Sequence, residues 1–407
     1  MKDKLIRAIK ALGPGFIVAS VVLGPGSVTT ASQIGAVHGY ALLWVIVISA
    51  IGMIMYTTMA ARFGVSHEKS FLQTVADTYG RWAAILIGVS SFLVAASFQF
   101  GNNLGIATSM QTLTGISEYV WPPIFNGLAI LLIFFAKNLY QVLEKLMMFM
   151  VMIMITAFIV NLFFIKPDLG QAVQGFVPVI PDNSLNEVAA IVATTFVLHA
   201  ALYQSYLVQN KGWTLKDMKS GMRDSIAGII VLASISALII LNSAAALKPA
   251  GITISTAGDM AIQLEALFGS ASKIIFSFGL WAAAYSSFTV NSIIAGGLLS
   301  DGLGLGRTMQ EKWPKIFTVL ALLVGMMVAT FFRGNIVYAL VLAQASSLLA
   351  VPAVAIGLFV ILNNKNVMGK YANTWKQNVV AIFGMILIFI MVYFMWHRLI
   401  STIGRAF

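Results

Sequence analysis

Apolar residues run along this chain in blocks of twenty or so, and the polar residues collect between them. An uninterrupted apolar run of about 20 residues is long enough to cross a bilayer as a helix. Eleven such blocks lie near residues 12–38, 41–62, 82–114, 121–136, 142–165, 186–208, 224–247, 271–300, 314–332, 336–362 and 377–399. The third and eighth exceed a bilayer's thickness and are expected to tilt or to extend past it. Two blocks break the apolar pattern. The first carries Gly24-Pro25-Gly26 near its middle, followed by Ser27, Thr29, Thr30, Ser32 and Gln33. Proline removes a backbone donor and clashes with the preceding turn, so this helix is predicted to break there. An unpaired backbone group is costly in hydrocarbon, and such a break persists only where it lines a cavity or site. The sixth block holds Thr194, Thr195, His199, Gln204 and Ser205 at membrane depth, where polar groups face a bundle interior or a wet cavity. The two anomalies stand five spans apart. That spacing predicts two five-span halves, residues 1–165 and 184–362, related as an inverted repeat, with 377–399 as an added span.

Composition agrees. Of 407 residues, 59% are hydrophobic and 10% charged, with a mean hydropathy of +0.91, whereas soluble domains carry about 25% charged residues. The chain reads as a single all-α membrane domain. Its +11 net charge is a matter of topology rather than of nucleic-acid binding. With the N-terminus inside, 19 of the 25 Lys and Arg residues fall on cytoplasmic segments and six outside, as the positive-inside tendency requires. The eleventh span then leaves the C-terminus outside. The opening MKDKLIRAIKALG leads into a span and lacks the pattern of a cleavable signal. Zero cysteines exclude disulfides, thiolate metal sites and thiol catalysis. No nucleophile–base pair or paired carboxylates lie inside the spans, so an enzyme is not expected, and no cofactor is implied.

Several stretches resemble one family. Leu12-Gly13-Pro14-Gly15-Phe16, the broken helix and Gly39-Tyr40-Ala41-Leu42-Leu43-Trp44 are similar to the first two spans of the Nramp (natural resistance-associated macrophage protein) metal transporters. Ala282-Ala283-Ala284-Tyr285-Ser286-Ser287, within 278–304, resembles their eighth span. Leu340-Val341-Leu342-Ala343-Gln344 with Pro352, then Asn364-Lys365-Asn366-Val367-Met368-Gly369, resembles the tenth and its following loop. The resemblance implies a LeuT-type fold, helices 1 and 6 unwound around a central site, alternating access, and a divalent metal as cargo. The family's metal-handling residues do not carry over. Its Asp-Pro-Gly-Asn falls on Gly24-Pro25-Gly26-Ser27, and its Met-Pro-His-Asn on Val197-Leu198-His199-Ala200. A second histidine falls on Gln204, and the third-span Asp and Glu fall on Gln99 and Asn102. Gln344 is retained.

The resulting candidates for substrate binding are Gly24, Ser27, Thr194, Val197, His199 and Gln344. His199, Gln99, Asn102 and Gln204 are candidates for a polar or proton pathway, and no residue stands out as a metal ligand. Glu144, Glu187, Asp224 and Asp301 lie near span ends, and no acid lies mid-span. Hard cations take carboxylate and carbonyl oxygens, so weak transition-metal binding and weak or absent proton coupling are expected. A half-helix beginning at Ser27 aims free N–H groups at the cavity. This suits a neutral or carboxylate-bearing organic solute as the alternative cargo; a transport-dead sensor is a third reading. Partners are thus a small solute or ion and the lipid bilayer, and the sequence is compatible with a monomer. Met147, Met148, Met150, Met152 and Met154 fall on all faces of one helix and read as packing. Tyr285, Asn291 and Asn242 either line the cavity or join helices. Gly296-Gly297 reads as close helix packing. Lys211 to Arg223 reads as a solvated loop, and the glycines of 302–306 lack the strand a nucleotide motif needs.

Overall fold

The computed structural model describes residues 23–135, 137–331 and 336–403. The first half of span 1, with Leu12 to Phe16, lies outside them, as do the side chains of Glu144, Met147 and Met148. The membrane helices are α1 (Pro25–His38), α2 (Leu43–Ser66), α3 (Arg81–Thr114), α4 (Trp121–Phe135), α5 (Lys137–Ile165), α6a (Leu185–Thr195), α6b (Leu198–Asn210), α7 (Met218–Ala246), α8 (Ser272–Leu303), α9 (Lys312–Phe331), α10a (Ile336–Ser347), α10b (Val351–Asn363) and α11 (Trp375–Ile403). Among the described residues there is no strand. Among the described residues, eight helical stretches are long and apolar enough to cross a membrane, and two shorter apolar ones lie within 118–134 and 149–165.

The start of α1 and the interruptions of the sixth and tenth spans have different local causes. At α1 the chain is extended at Gly24 (φ −107°, ψ −179°) and turns helical at Pro25, where a fixed φ and a missing N–H fit a helix start. α6 breaks at Phe196 and Val197, with ψ of 69° and 86°, although no Gly or Pro stands there. The tenth span, expected as one helix, is divided by a 3₁₀ turn at Leu348–Ala350. Pro352 explains it: the ring cannot donate to the carbonyl of Leu348 and crowds it.

Many large apolar side chains face outward, and Phe163 and Phe331 are 77% and 76% exposed. Inside, small residues let helices touch. A Cβ on Gly88 of α3 would lie 2.9 Å from the Leu298 carbonyl of α8, and one on Gly302 would lie 2.7 Å from the Ala84 carbonyl. Gly296 meets the Pro314 carbonyl of α9, and Gly64 meets Ser205 of α6b. Gly297 has room beside it. Close backbone approach of this kind is how helices associate in lipid. Met154 is buried against Gly279 while Met152 is exposed, the packing role expected of the methionines.

The described helix ends gather on two faces. On one face His67 Nε2 meets the Val367 carbonyl, Gln209 donates to the His67 carbonyl, and Asn364 donates to Tyr79 Oη. Arg81 donates to the Asp301 carbonyl there. On the other face, Trp44 N–H donates to the Gly175 carbonyl, Trp44 Nε1 to the Val179 carbonyl, and Ala257 N–H to Thr108 Oγ1.

Candidate functional site

Helix α3 crosses the centre of the bundle with a polar row and a glycine row. Gln99, Asn102 and Asn103, spaced to share a face, are all buried. Gln99 Nε2 donates to the Phe288 carbonyl of α8 at 2.8 Å, and Asn102 Nδ2 donates to Gln99 Oε1 at 3.0 Å. Asn103 Nδ2 donates to the Gln99 carbonyl at 2.8 Å and accepts at Oδ1 from Asn126 of α4 at 2.6 Å. Gly101 and Gly105, four apart, form the second row. A Cβ on Gly101 would lie 2.7 Å from Gln344 Nε2 of α10a, and Gly105 faces the ring of Pro25.

The start of α1 fits into this surface. A Cβ on Gly24 would lie 2.8 Å from Ser287 Oγ of α8 and 3.1 Å from Asn102 Oδ1. On Gly26 it would lie 2.6 Å from Gln344 Cδ. Any side chain at 24 or 26 therefore competes with groups already in place. Ser287 and Asn291 stand one turn apart on α8, and Asn291 Nδ2 donates to Ser287 Oγ at 3.0 Å. Asn291 Oδ1 lies 2.8 Å from His199 Nε2. The edge of the imidazole packs against Phe98 of α3, with centroids 5.4 Å apart. A chain of hydrogen bonds thus runs from α6b to α8 and abuts α1, α3 and α10a.

Of the residues singled out from sequence, Gly24, His199, Gln99, Asn102 and Gln344 come together here. Ser27 Oγ donates to the Gly24 carbonyl at 2.8 Å and tightens the first turn of α1. Val197 is buried in the α6 break. Two residues turn elsewhere. Thr194 Oγ1 bonds back to the carbonyls of Ala190 and Ile191 within α6a. Gln204 Nε2 donates to Ser225 Oγ of α7 at 3.0 Å. Ser287 is the site neighbour that the sequence reading passed over; its i, i+4 spacing from Asn291 was the available signal. Of the residues read as lining the cavity or joining helices, Asn242 takes the second role. It accepts from Asn161 of α5, which also donates to the Gln263 carbonyl, and Gln263 in turn donates to Ser32 Oγ of α1.

The side chains of this cluster are amides, hydroxyls and one imidazole. Buried polar atoms without a hydrogen-bond partner include His199 Nδ1, Gln344 Oε1 and Thr195 Oγ1. Among the described residues no group of three or more His, Cys, Asp or Glu side chains is placed to hold a metal. The arrangement can exchange hydrogen bonds with a ligand but brings it no countercharge.

Residues 15–397 match the family model "Natural resistance-associated macrophage protein-like". The chain is 26% identical over 411 residues to a divalent metal cation transporter MntH of Yersinia pestis (strain Pestoides F), covering 98% of this chain and 97% of the relative. A Staphylococcus saprophyticus protein of the same name is 24% identical, covering 91% and 87%. Among solved structures, the Eremococcus coleocola manganese transporter superposes with a TM-score of 0.78 at 17% identity, covering 94% of this chain and 86% of that one. Mhp1, a nucleobase-cation-symport-1 family transporter, gives 0.61 at 12% identity, covering 96% and 93%. The family match spans nearly the whole chain and the helices adopt the LeuT-type fold of both solved transporters. The chain therefore belongs to the Nramp family and is a multi-pass membrane transporter rather than an enzyme.

Proposed function

We propose that this protein is a secondary transporter that works by alternating access around the junction of α1, α6 and α10, and that it holds transition-metal ions weakly and couples weakly or not at all to protons. The observation that carries this reading is the neutrality of the junction. Among the described residues, the side-chain oxygens near Gly24 include those of Ser27, Ser287 and Asn102, and none of these is charged. Taking a dication out of water without a carboxylate leaves a desolvation cost of several kcal/mol per ion unmet. The relatives' names make a divalent metal the default cargo class; the donor set argues against tight retention of one. Gln99 and Asn102 cannot titrate, which leaves His199 as the one proton carrier of the cluster. The face bearing Lys69, Arg81, Lys211, Arg307, Lys365 and Lys370 is taken as cytoplasmic, on the excess of basic residues there. The N-terminus is then inside and the C-terminus outside.

A second reading is a neutral or carboxylate-bearing organic solute. It is favoured by the start of α1 at Pro25, where the positive end of the helix dipole suits an acceptor and the Gln344 amide lies against Gly26.

Calorimetry with Mn²⁺ in detergent tests the first reading. No saturable binding is expected in the micromolar range, and micromolar affinity would overturn it. The Gly24→Asp, Ser27→Asn, Val197→Met variant, with Ser287→Gly to make room at position 24, is expected to gain about tenfold in Mn²⁺ affinity, some 1.4 kcal/mol. Substrate-dependent proton uptake in proteoliposomes would contradict the uncoupled reading.

A further inference from the structure

We propose that Asn291 is a positioning residue that locks His199 in its Nε2–H tautomer, so that the imidazole offers a lone pair at Nδ1 and the site reads its cargo by N–H or O–H donors. The inference rests on the reading of the central junction as the transport site and deepens it. Asn291 has two faces in use: one end of its amide meets His199 Nε2 at 2.8 Å and the other meets Ser287 Oγ at 3.0 Å. Two assignments fit that geometry. In one, the amide oxygen accepts from His199 Nε2–H and the amide nitrogen donates to Ser287. In the other the amide is reversed, Nε2 accepts, and the ring proton sits on Nδ1. His199 is fully buried, and Nδ1 has no hydrogen-bond partner. The reversed assignment would bury an N–H with nothing to receive it, which folded proteins almost never do, whereas an unpaired acceptor is better tolerated. The first assignment therefore holds, and the ring is fixed by its partner's oxygen.

Gln344 Oε1 and Thr195 Oγ1 are also buried without partners, and Gln344 lies against Gly26 and Gly101 beside the same junction. His199 Nδ1 and Gln344 Oε1 are neutral acceptors, and the Thr195 hydroxyl can accept or donate. They complement a solute that brings hydrogen-bond donors, and they offer no charge to a bare dication.

The test uses the full-length protein with ¹⁵N-labelled histidine in lipid nanodiscs, with the His199 signals identified by their loss in His199→Gln. The expected wild-type spectrum shows one neutral tautomer, protonated at Nε2. Asn291→Ala is expected to mix the tautomers, and Asn291→Asp, which keeps an acceptor oxygen, to restore the single form. A wild-type ring protonated at Nδ1, or an Asn291→Ala ring still held in one tautomer, would overturn the lock. If Asn291→Ala does not fold, the wild-type and Asn291→Asp spectra decide it. For the donor readout, acetamide is compared with N,N-dimethylacetamide, a similar dipole without N–H groups. Acetamide is expected to shift the Nδ1 resonance and dimethylacetamide to leave it unmoved. Equal shifts with both, or no shift with either, would overturn the acceptor role. Micromolar Mn²⁺ binding by calorimetry would sink the weak-metal reading while leaving the tautomer result intact, so the two failures are distinguishable.

Discussion

The middle of this bundle and its basic end are both polar, but they are built from different chemistry. In the middle, Gln99, Asn102, Asn103, Asn291 and His199 exchange hydrogen bonds without a formal charge, and the neutral Gln344 lies beside them against Gly26 and Gly101. At the end where α6b, α8 and the α2–α3 connection meet, charge is abundant. Tyr206 Oη donates to Asp301 Oδ2 at 2.6 Å, Arg81 donates to the Asp301 carbonyl, Lys69 pairs with Asp77 at 2.8 Å, and Glu311 accepts from the backbone of Arg307 and Thr308. A cleft of about 680 Å³ opens among these groups, so water screens most of them. The difference follows from solvation: a charge near the rim keeps part of its hydration, whereas one at mid-depth must find a partner or be neutralised. In this chain amides occupy the positions where a carboxylate would need such a partner.

The contrast can be broken from the inside. Gln99→Glu turns a buried donor into a carboxylate facing the Phe288 carbonyl. It is expected to cost about 3–5 kcal/mol, the penalty of an uncompensated buried charge, seen as loss of monodisperse protein and a lower thermal midpoint in detergent. An unchanged midpoint would mean that the centre tolerates charge after all. A smaller effect is expected where the two regions shade into one another. Tyr206→Phe removes one donor from Asp301 and is expected to destabilise by about 1–3 kcal/mol; damage equal to that of Gln99→Glu would erase the distinction. The smallest effect belongs to exposed Glu311. Bonds from Arg307 N–H, then from Thr308, hold its carboxyl below the ordinary 4.5. Its support of the 304–311 turn is therefore complete above that value and lost as pH falls through the lower folded one. Hydrogen exchange of this turn should accelerate on acidification in the wild type and show no such step in Glu311→Gln.

Much of the fold was legible because a bilayer demands long apolar runs, and among the described residues most of their ends fall within a few residues of the observed helices. The start of α1 at Pro25 was legible because Gly24-Pro25-Gly26 cannot propagate a helix. Span 6 could be flagged only by its polar residues, since the turn at Phe196 and Val197 has no local breaker and depends on packing. The division of span 10 was missed even though Pro352 was in plain view, because proline kinks are common in membrane helices and a 3₁₀ turn is not written in hydropathy. At the site, the sequence could say which residues are polar but not which way they turn. Gln204 and Thr194 have the same chemistry as their neighbours yet bond to α7 and to their own helix. Ser287, an ordinary serine in an alanine-rich run, acquires its place only when α1 is laid against α8.

The glycine contact between α3 and α8 has a mechanical consequence. Where Gly88 and Gly302 bring two backbones together, no layer of side chains remains to slide or repack, so rotating one helix carries the other with it. The pair forms a stiff spar through the protein. Spectroscopic labels on α3 and α8 should keep one separation through a transport cycle, giving a fixed origin from which the swing of α1 and α6 can be measured.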